Sequence, residues 1–341
     1  MTLSLAVLSV VLCPVAWNQT GAVAEAEQGL RLAKEGKYDL AAARYKSALS
    51  KNPRLPGVYL NLGLALFKLD RLAEAVPAFE KALKADPGSF QTRVLLGMSY
   101  YGTRKFSAAA ATLKPAVAQQ PDNTELRYKL AQSLMWSQQY EPAIEEFRIL
   151  LAKDSDSAPV HMLLGEVLDA ANRIDEAIAE FEAGTKVGPR EPEVHFGLGY
   201  LYWKQKRYED ARGQFQAELN NQPNHLQSLV YLGDAEMQSG AEGDAEKHLQ
   251  QALKLDPNLR LAHLDLGIIY AARNDGHAAV RHFQEAIRID PSEADAHYRL
   301  GRMWTSLGRT EDAESEFAKV KALAKTEAPP EPLVKVSKTA Q

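Results

Sequence analysis

The chain has almost no cysteine, the residue on which disulfides and cysteine-based metal sites depend. Its 341 residues include a single cysteine, Cys13, which excludes a disulfide within the chain and a cysteine-based metal site. Lysine and arginine total 40 against 44 acidic residues, so the net charge is -4 and the pI is about 6.1. No long basic run occurs, which argues against a nucleic-acid partner because phosphate binding needs clustered cations.

Sequence motifs of the common enzyme classes are also missing. The chain has no Walker-type phosphate loop, no nucleophile elbow and no dinucleotide fingerprint. Four of its eight histidines, His161, His195, His263 and His297, are separated by multiples of 34 residues. That spacing distributes them along the fold, whereas a zinc ion needs its nitrogen ligands about 2 Å away. We therefore predict no catalytic residue, no metal site, no cofactor and no small-molecule substrate.

An apolar, uncharged run occupies residues 2–16, TLSLAVLSVVLCPVA. It is too short to span a bilayer comfortably, and its length suits the hydrophobic region of a secretory signal. Ala16 and Ala24 offer cleavage points, but no lysine or arginine precedes Arg31, so the positive region of such a signal is missing. We predict a periplasmic or secreted protein, with an uncleaved membrane anchor and a cytosolic protein as the alternatives.

The chain is rich in one feature, a 34-residue repeat that starts at Ala22 and needs no insertion or deletion. The frames are 22–55, 56–89, 90–123, 124–157, 158–191, 192–225, 226–259, 260–293 and 294–327. Position 8 is glycine in eight frames and alanine in one, and position 20 is alanine in all nine. Position 24 is aromatic or leucine, and position 32 is proline in seven frames.

Each repeat carries two amphipathic stripes separated by a short polar turn. In the second repeat the apolar residues recur three and four apart, which is typical of α-helices: Tyr59, Leu62, Leu66 and Leu69, then Leu72, Ala75, Phe79, Ala82 and Leu83. The short turn predicts an antiparallel helical hairpin. Small residues at positions 8 and 20 let two helices approach closely, the large residue at position 24 fills the gap between hairpins, and the proline separates repeats.

This pattern of small, small, aromatic and proline positions resembles the tetratricopeptide repeat. The resemblance covers residues 22–327 and implies an all-α solenoid, a right-handed superhelix of nine helix-turn-helix repeats. Departures from the pattern are local, and the first and last repeats deviate as capping repeats should. Residues 1–21 are then a signal-like leader. The tail at 328–341 has three prolines and no apolar periodicity, so we expect it to be disordered.

The resemblance also implies that positions 5, 9 and 12 of each first helix face an inner groove. These columns are rich in aromatic residues and methionine in the middle of the array, and such side chains suit adaptable peptide recognition. The candidate partner-binding residues are Met98, Tyr101, Tyr128, Met162, Phe196, Tyr200 and Trp203. The alternative is that some of them pack between neighbouring first helices, above all those at position 5.

Two specialised grooves of the family are absent. Binders of a terminal carboxylate use lysine at position 5 and asparagine at position 9, and neither column contains that residue. An asparagine ladder at position 6 is reduced to Asn61. We therefore predict a non-catalytic scaffold or adaptor that binds protein or peptide partners, exported or associated with a bacterial envelope. The alternatives are a targeting subunit of a glycosyltransferase or protease on another chain, and an assembly factor of an envelope complex.

Overall fold

A computed structural model describes residues 21–324, and every regular element in that range is an α-helix. The helices are α1 (Gly21–Lys34), α2 (Tyr38–Lys51), α3 (Val58–Lys68), α4 (Leu72–Ala85), α5 (Phe90–Gly102), α6 (Phe106–Gln119), α7 (Thr124–Trp136), α8 (Tyr140–Lys153), α9 (Ala158–Ala170), α10 (Ile174–Val187), α11 (Val194–Lys204), α12 (Tyr208–Asn221), α13 (Leu226–Gln238), α14 (Glu242–Leu255), α15 (Arg260–Ala272), α16 (Gly276–Ile289), α17 (Ala294–Ser306) and α18 (Thr310–Leu323).

Two helices fall in each 34-residue frame, so the prediction of an all-α array of nine helix-turn-helix repeats is confirmed. The odd-numbered helix is the first of each repeat and the even-numbered helix is the second. The predicted leader lies outside the described residues except for Gly21, which begins α1, and the predicted tail at 328–341 lies wholly outside them. No helix in the described range is long and apolar enough to cross a membrane.

The chain divides into two compact units between Leu150 and Leu151. The N-terminal unit contains α1 to α7 and most of α8, and the C-terminal unit contains α9 to α18. Within each unit, a first helix packs on the second helix of its own repeat, and that second helix packs on the next first helix. Neighbouring first helices such as α11 and α13 also touch, so they form a layer of their own.

In the eight repeats with glycine at position 8, the position 24 side chain of the same hairpin occupies the space that a Cβ atom would take. A Cβ atom added to Gly63 would lie 2.6 Å from the Phe79 ring, and one added to Gly267 would lie 2.5 Å from the Phe283 ring. The same large side chain can also fill the space toward the next hairpin, since the Phe181 ring contacts Gly197 of the following repeat. The large residue at position 24 therefore packs within its own hairpin as well as between hairpins.

The turn between the two helices of a repeat has one conformation throughout the array. Position 15 has positive φ in all nine repeats, as glycine at Gly36, Gly240 and Gly308 and as another residue elsewhere, for example Gln138 with φ 61°. The amide of position 16 then donates to the carbonyl of position 11, as from Gln139 to Leu134 at 2.9 Å. These bonds satisfy carbonyls that the end of the first helix would otherwise leave unpaired.

Candidate functional site

The seven candidate residues fall in both compact units, and all seven are half-buried. Met98, Tyr101 and Tyr128 belong to the N-terminal unit. The other four, Met162, Phe196, Tyr200 and Trp203, belong to the C-terminal unit. The structure brings the aromatic members together within each unit.

In the N-terminal unit, Tyr101 of α5 and Tyr128 of α7 surround the ammonium of Lys129. The Lys129 Nζ atom lies 4.7 Å from the centre of the Tyr101 ring and 5.8 Å from that of Tyr128. It also donates a hydrogen bond to Gln132 Oε1 at 3.0 Å, and the Tyr101 hydroxyl donates to the same oxygen at 3.2 Å. Burial lowers the pKa of Lys129. This surface therefore already contains a cation stabilised by ring faces.

In the C-terminal unit, the rings of Phe196, Tyr200 and Trp203 from α11 meet Tyr231 from α13, and we call these four residues the aromatic cluster. Tyr231 is at the centre, with ring centres 6.0 Å from Phe196, 5.5 Å from Tyr200 and 5.0 Å from Trp203. Tyr231 meets Tyr200 and Trp203 edge to face, a geometry that aromatic pairs prefer, and its ring is tilted against that of Phe196. Burial raises the pKa of Tyr231 to about 12.

Tyr231 is a residue that the sequence reasoning missed. It stands at position 6, outside the columns that the family resemblance assigns to the groove. Its column shares the inner face with positions 5 and 9 because residues three and four apart lie on one side of a helix. A tyrosine there, next to an aromatic-rich preceding repeat, was the available signal.

Residues at position 5 also contribute to the core of their own hairpins. The Phe196 ring lies 5.9 Å from that of the fully buried Phe215, and the Tyr128 ring lies 6.4 Å from that of Phe147. The packing role that was the alternative for position 5 is therefore present. Tyr200 and Trp203, at positions 9 and 12, contact the first-helix layer, since Trp203 donates to a carboxylate of α13.

The start of α11, which carries Phe196, is held by a buried carboxylate from the following helix. Glu218 of α12 is 0% exposed and accepts hydrogen bonds from the backbone amides of Glu193 at 3.2 Å and Phe196 at 3.3 Å. Gln222 donates a third bond to it at 2.8 Å. These amides belong to the first turn of the helix, where no intrahelical acceptor exists. Glu218 therefore replaces a conventional N-cap and positions the Phe196 end of the aromatic cluster.

Polar atoms of the candidate rings bridge consecutive repeats. The Trp203 indole nitrogen, at position 12, donates to Asp234 Oδ2 at position 9 of the next repeat. Tyr101 and Gln132 make the same position 12 to position 9 bridge in the N-terminal unit. The indole N–H of Trp203 is thus engaged within the chain.

Three carboxylates on first helices of the C-terminal unit have no cationic partner in the described part of the chain: Glu166, Asp234 and Asp265. Their neighbour Asp169, in contrast, pairs with Lys204 at 2.6 Å. The Oε2 atom of Glu166 and the Oδ2 atom of Asp265 are buried and have no hydrogen-bond partner among those residues. Such groups are uncommon because desolvation of an unpaired carboxylate is costly.

The pKa values of these three carboxyls all rise. Burial, and then the nearby Glu193, raises the pKa of Glu166 to about 7. Burial, and then repulsion from Asp234, raises the pKa of Asp265 well above its ordinary value. Burial also raises the pKa of Asp234, although the Trp203 hydrogen bond opposes it. A cation bound beside them would offset the cost of ionising these groups.

The histidines at position 4 have structural roles. In each, Nε2–H donates to a backbone carbonyl six residues earlier, as from His195 to Pro189 and from His297 to Pro291, at 3.1 and 3.2 Å. Nδ1 contacts the second helix of the same repeat, for example His161 with Glu180 at 2.7 Å. Within residues 21–324, no group of three or more potential ligands is arranged to hold a metal ion.

Family models agree with the repeat geometry. A model described as tetratricopeptide repeat matches residues 26–90, 162–225, 208–260 and 264–330, and a second model with that description matches residues 100–167. The chain belongs to the tetratricopeptide repeat family. None of the curated proteins matches it in sequence.

Solved structures of tetratricopeptide repeat proteins have a similar fold. The C-terminal part of a repeat protein from Cytophaga hutchinsonii aligns with a TM-score of 0.58 and 19% identity, over 70% of this chain and 98% of that one. PilW, a type IV pilus biogenesis factor, gives 0.53 and 18%, over 60% and 96%. PilF of Pseudomonas aeruginosa gives 0.52 and 18%, over 60% and 93%. At these identities the likeness shows the fold alone.

Proposed function

We propose that this tetratricopeptide repeat protein is a non-catalytic scaffold or adaptor that binds peptides or proteins on its layer of first helices. The observation that carries the proposal is the aromatic cluster of α11 and α13, whose four rings are half-buried on that layer. Tyrosine and tryptophan are enriched among the residues that dominate binding energy at interfaces. Their rings supply large contact area with few rotatable bonds, so little entropy is lost on binding.

The N-terminal surface of Tyr101, Tyr128 and Lys129 is a second part of this proposal. Its rings are half-buried on α5 and α7, and its cation is held between them. A partner that bound there would contact the Lys129 ammonium and the two tyrosine rings beside it. The two surfaces thus differ in charge, which favours partner-specific recognition by side chains.

The test of the proposed function uses Trp203→Ala, with Tyr208→Ala as the matched control. Tyr208 is an aromatic residue of the same repeat, but it stands at the start of the second helix. A partner would first be recovered from cells of the native source, and its affinity for each purified variant then measured by calorimetry. We expect Trp203→Ala to weaken binding by at least tenfold, on the scale of an interface anchor, about 2 kcal/mol.

The control variant should bind within about twofold of the wild type, and circular dichroism should show the same helix content for all three proteins. Unchanged affinity of both Trp203→Ala and Tyr200→Ala, with helix content intact, would refute the assignment of the aromatic cluster to partner binding.

Export is a further part of the proposal, and the apolar run at residues 2–16 supports it. Cell fractionation followed by N-terminal sequencing of the native protein is the measurement. Recovery outside the cytoplasm with residues before Trp17 or Glu25 removed is the expected result. Recovery in the cytoplasm with an intact leader would contradict it.

A further inference from the structure

Asp265 of α15 is buried in the first-helix layer with no partner that would explain an ionised carboxyl there. It is 2% exposed, and its Oδ2 atom has no hydrogen-bond partner in the described residues. The charged groups that act on it are Asp234 of α13, Arg260 of α15, and Asp295 and Arg299 of α17. Asp265 thus lies where the first helices of three consecutive repeats meet.

The two arginines that favour ionisation of Asp265 form their salt bridges with other carboxylates, although Arg260 also acts on Tyr231. Arg299 Nε lies 2.9 Å from Asp295, and an Arg260 guanidinium nitrogen lies 3.9 Å from Glu293. Asp234 disfavours the ionisation of Asp265, and within the described residues neither arginine forms a salt bridge with either of these carboxylates. We call these two residues the acid pair. Buried charges in proteins are normally paired, so the acid pair indicates a missing positive group.

The aromatic cluster adjoins the acid pair. Trp203 donates its indole hydrogen to Asp234 and lies 5.0 Å, centre to centre, from the Tyr231 ring. Asp234 also affects the ionisation of Tyr231. The faces of tryptophan and tyrosine rings attract a cation, and a carboxylate at the same place adds a charged acceptor. The combination suits a positive group with an apolar stem, as lysine and arginine side chains have.

The N-terminal unit shows the same arrangement with the cation present. There, Tyr101 at position 12 bridges to Gln132 at position 9, and Lys129 at position 6 donates to Gln132 beneath the Tyr101 ring. In the C-terminal unit, Trp203 and Asp234 take the position 12 and position 9 roles. At position 6, where the N-terminal unit has Lys129, the C-terminal unit has the ring of Tyr231. At position 9 the neutral acceptor Gln132 is replaced by the carboxylate of Asp234, so the C-terminal unit has a charged acceptor but no lysine of its own.

We propose that the C-terminal unit binds a lysine or arginine side chain of a partner peptide, with its apolar stem on the rings of the aromatic cluster and its charge toward the acid pair. The inference rests on the proposed function, since it names the partner chemistry of that same surface. Lys204 does not fill the place: its Nζ atom lies 5.9 Å from the centre of the Tyr200 ring but is bonded to Asp169 at 2.6 Å.

The test is affinity selection of short peptides from a random mixture, using the full chain and sequencing retained peptides by mass spectrometry. Asp265→Asn and Asp234→Asn remove one charge each while keeping the side-chain shape. Asp244→Asn is the matched control, because Asp244 pairs with Lys247 on the exposed face of α14. We expect the wild type and Asp244→Asn to enrich lysine or arginine, and the two acid-pair variants to lose at least several-fold of that enrichment. Their preference for apolar residues should remain.

The remaining outcomes separate this inference from the proposed function. Selection of apolar peptides without any basic preference, or a basic preference that survives both acid-pair variants, would overturn the cation site and leave the scaffold proposal standing. Retention of no peptide by the wild type would overturn both. Sedimentation velocity tests whether a second copy of this chain occupies the site instead. Dimerisation of the wild type that is lost in Asp265→Asn would show that it does, and would contradict the inference.

Discussion

Replacement of Glu218 by alanine tests how tertiary contacts override the repeat consensus. Five other repeats have alanine at this position, so a consensus argument expects Glu218→Ala to stabilise the protein. The structure predicts the opposite. The Glu218 carboxylate is 0% exposed and accepts hydrogen bonds from the backbone amides of Glu193 and Phe196 at the start of α11. Alanine would leave both amides without that acceptor.

The expected cost follows from these two hydrogen bonds. A hydrogen bond to a charged group contributes about 1.5–3 kcal/mol, and a buried donor left unsatisfied costs a similar amount. Because the two bonds share one carboxylate, their energies are not additive, and we expect a total near 3 kcal/mol for Glu218→Ala. Glu218→Gln keeps one acceptor oxygen and should cost roughly half as much. The exposed Glu209 of the same helix pairs with Arg212, and Glu209→Ala should cost less than about 0.5 kcal/mol.

Hydrogen exchange is the suitable assay because a repeat array need not unfold in a single step. A loss of 3 kcal/mol in local stability corresponds to roughly a hundredfold faster exchange. That acceleration should appear at the amides near Phe196 in Glu218→Ala, and it should be absent from Glu209→Ala. Protection of these amides at the wild-type level in Glu218→Ala would show that the carboxylate does not act as the cap of α11.

Three further predictions concern backbone strain and buried charge. Gln138 has φ 61°, a left-handed conformation that costs a residue with a side chain about 1–2 kcal/mol. Gln138→Gly should remove this cost, while the greater backbone entropy of glycine in the unfolded chain costs roughly 0.5–1 kcal/mol. We therefore expect Gln138→Gly to stabilise the protein slightly. Gly240→Ala, at the same turn position with φ 80°, should destabilise by about 1 kcal/mol, and melting temperatures of either variant that move the other way would contradict the argument. Asp265 has a folded-state pKa above its ordinary value of 3.8, so the carboxyl destabilises the fold increasingly as pH rises through that window. Thermal melts should therefore show Asp265→Asn gaining stability over the wild type as pH increases above 3.8, and a constant difference from acid to neutral pH would refute this.

Much of the architecture was predictable because a helical repeat is defined by local spacing. The frames from Ala22 onward placed two helices in each repeat. The invariant small and large positions are needed by every hairpin, as the contact between Gly63 and Phe79 illustrates. The left-handed turn residue was not found from the sequence, because its identity varies from glycine to arginine while only its conformation is constant. The backbone hydrogen bonds of the turn impose that conformation on whichever residue is present.

The candidate site was predictable only as a set of columns. The resemblance to the family selected Phe196, Tyr200 and Trp203, and the structure places their rings around Tyr231, which the same columns omitted. Which of the seven residues contact a partner stays a prediction. Position 5 shows why columns alone are insufficient, since Phe196 also packs on the core ring of Phe215.

The sequence by itself determined the class of fold, the repeat length and the absence of the two specialised peptide clamps, because these depend on spacing and residue type. Only the tertiary structure decided which charges are paired. Asp169 and Asp265 are both aspartates on first helices, yet Asp169 meets Lys204 of the next repeat, whereas Asp265 is buried beside another carboxylate. Likewise, Glu218 interrupts an alanine column in the sequence but caps a helix in the fold. Pairing and capping join residues distant in sequence, so their outcome depends on how the helices pack.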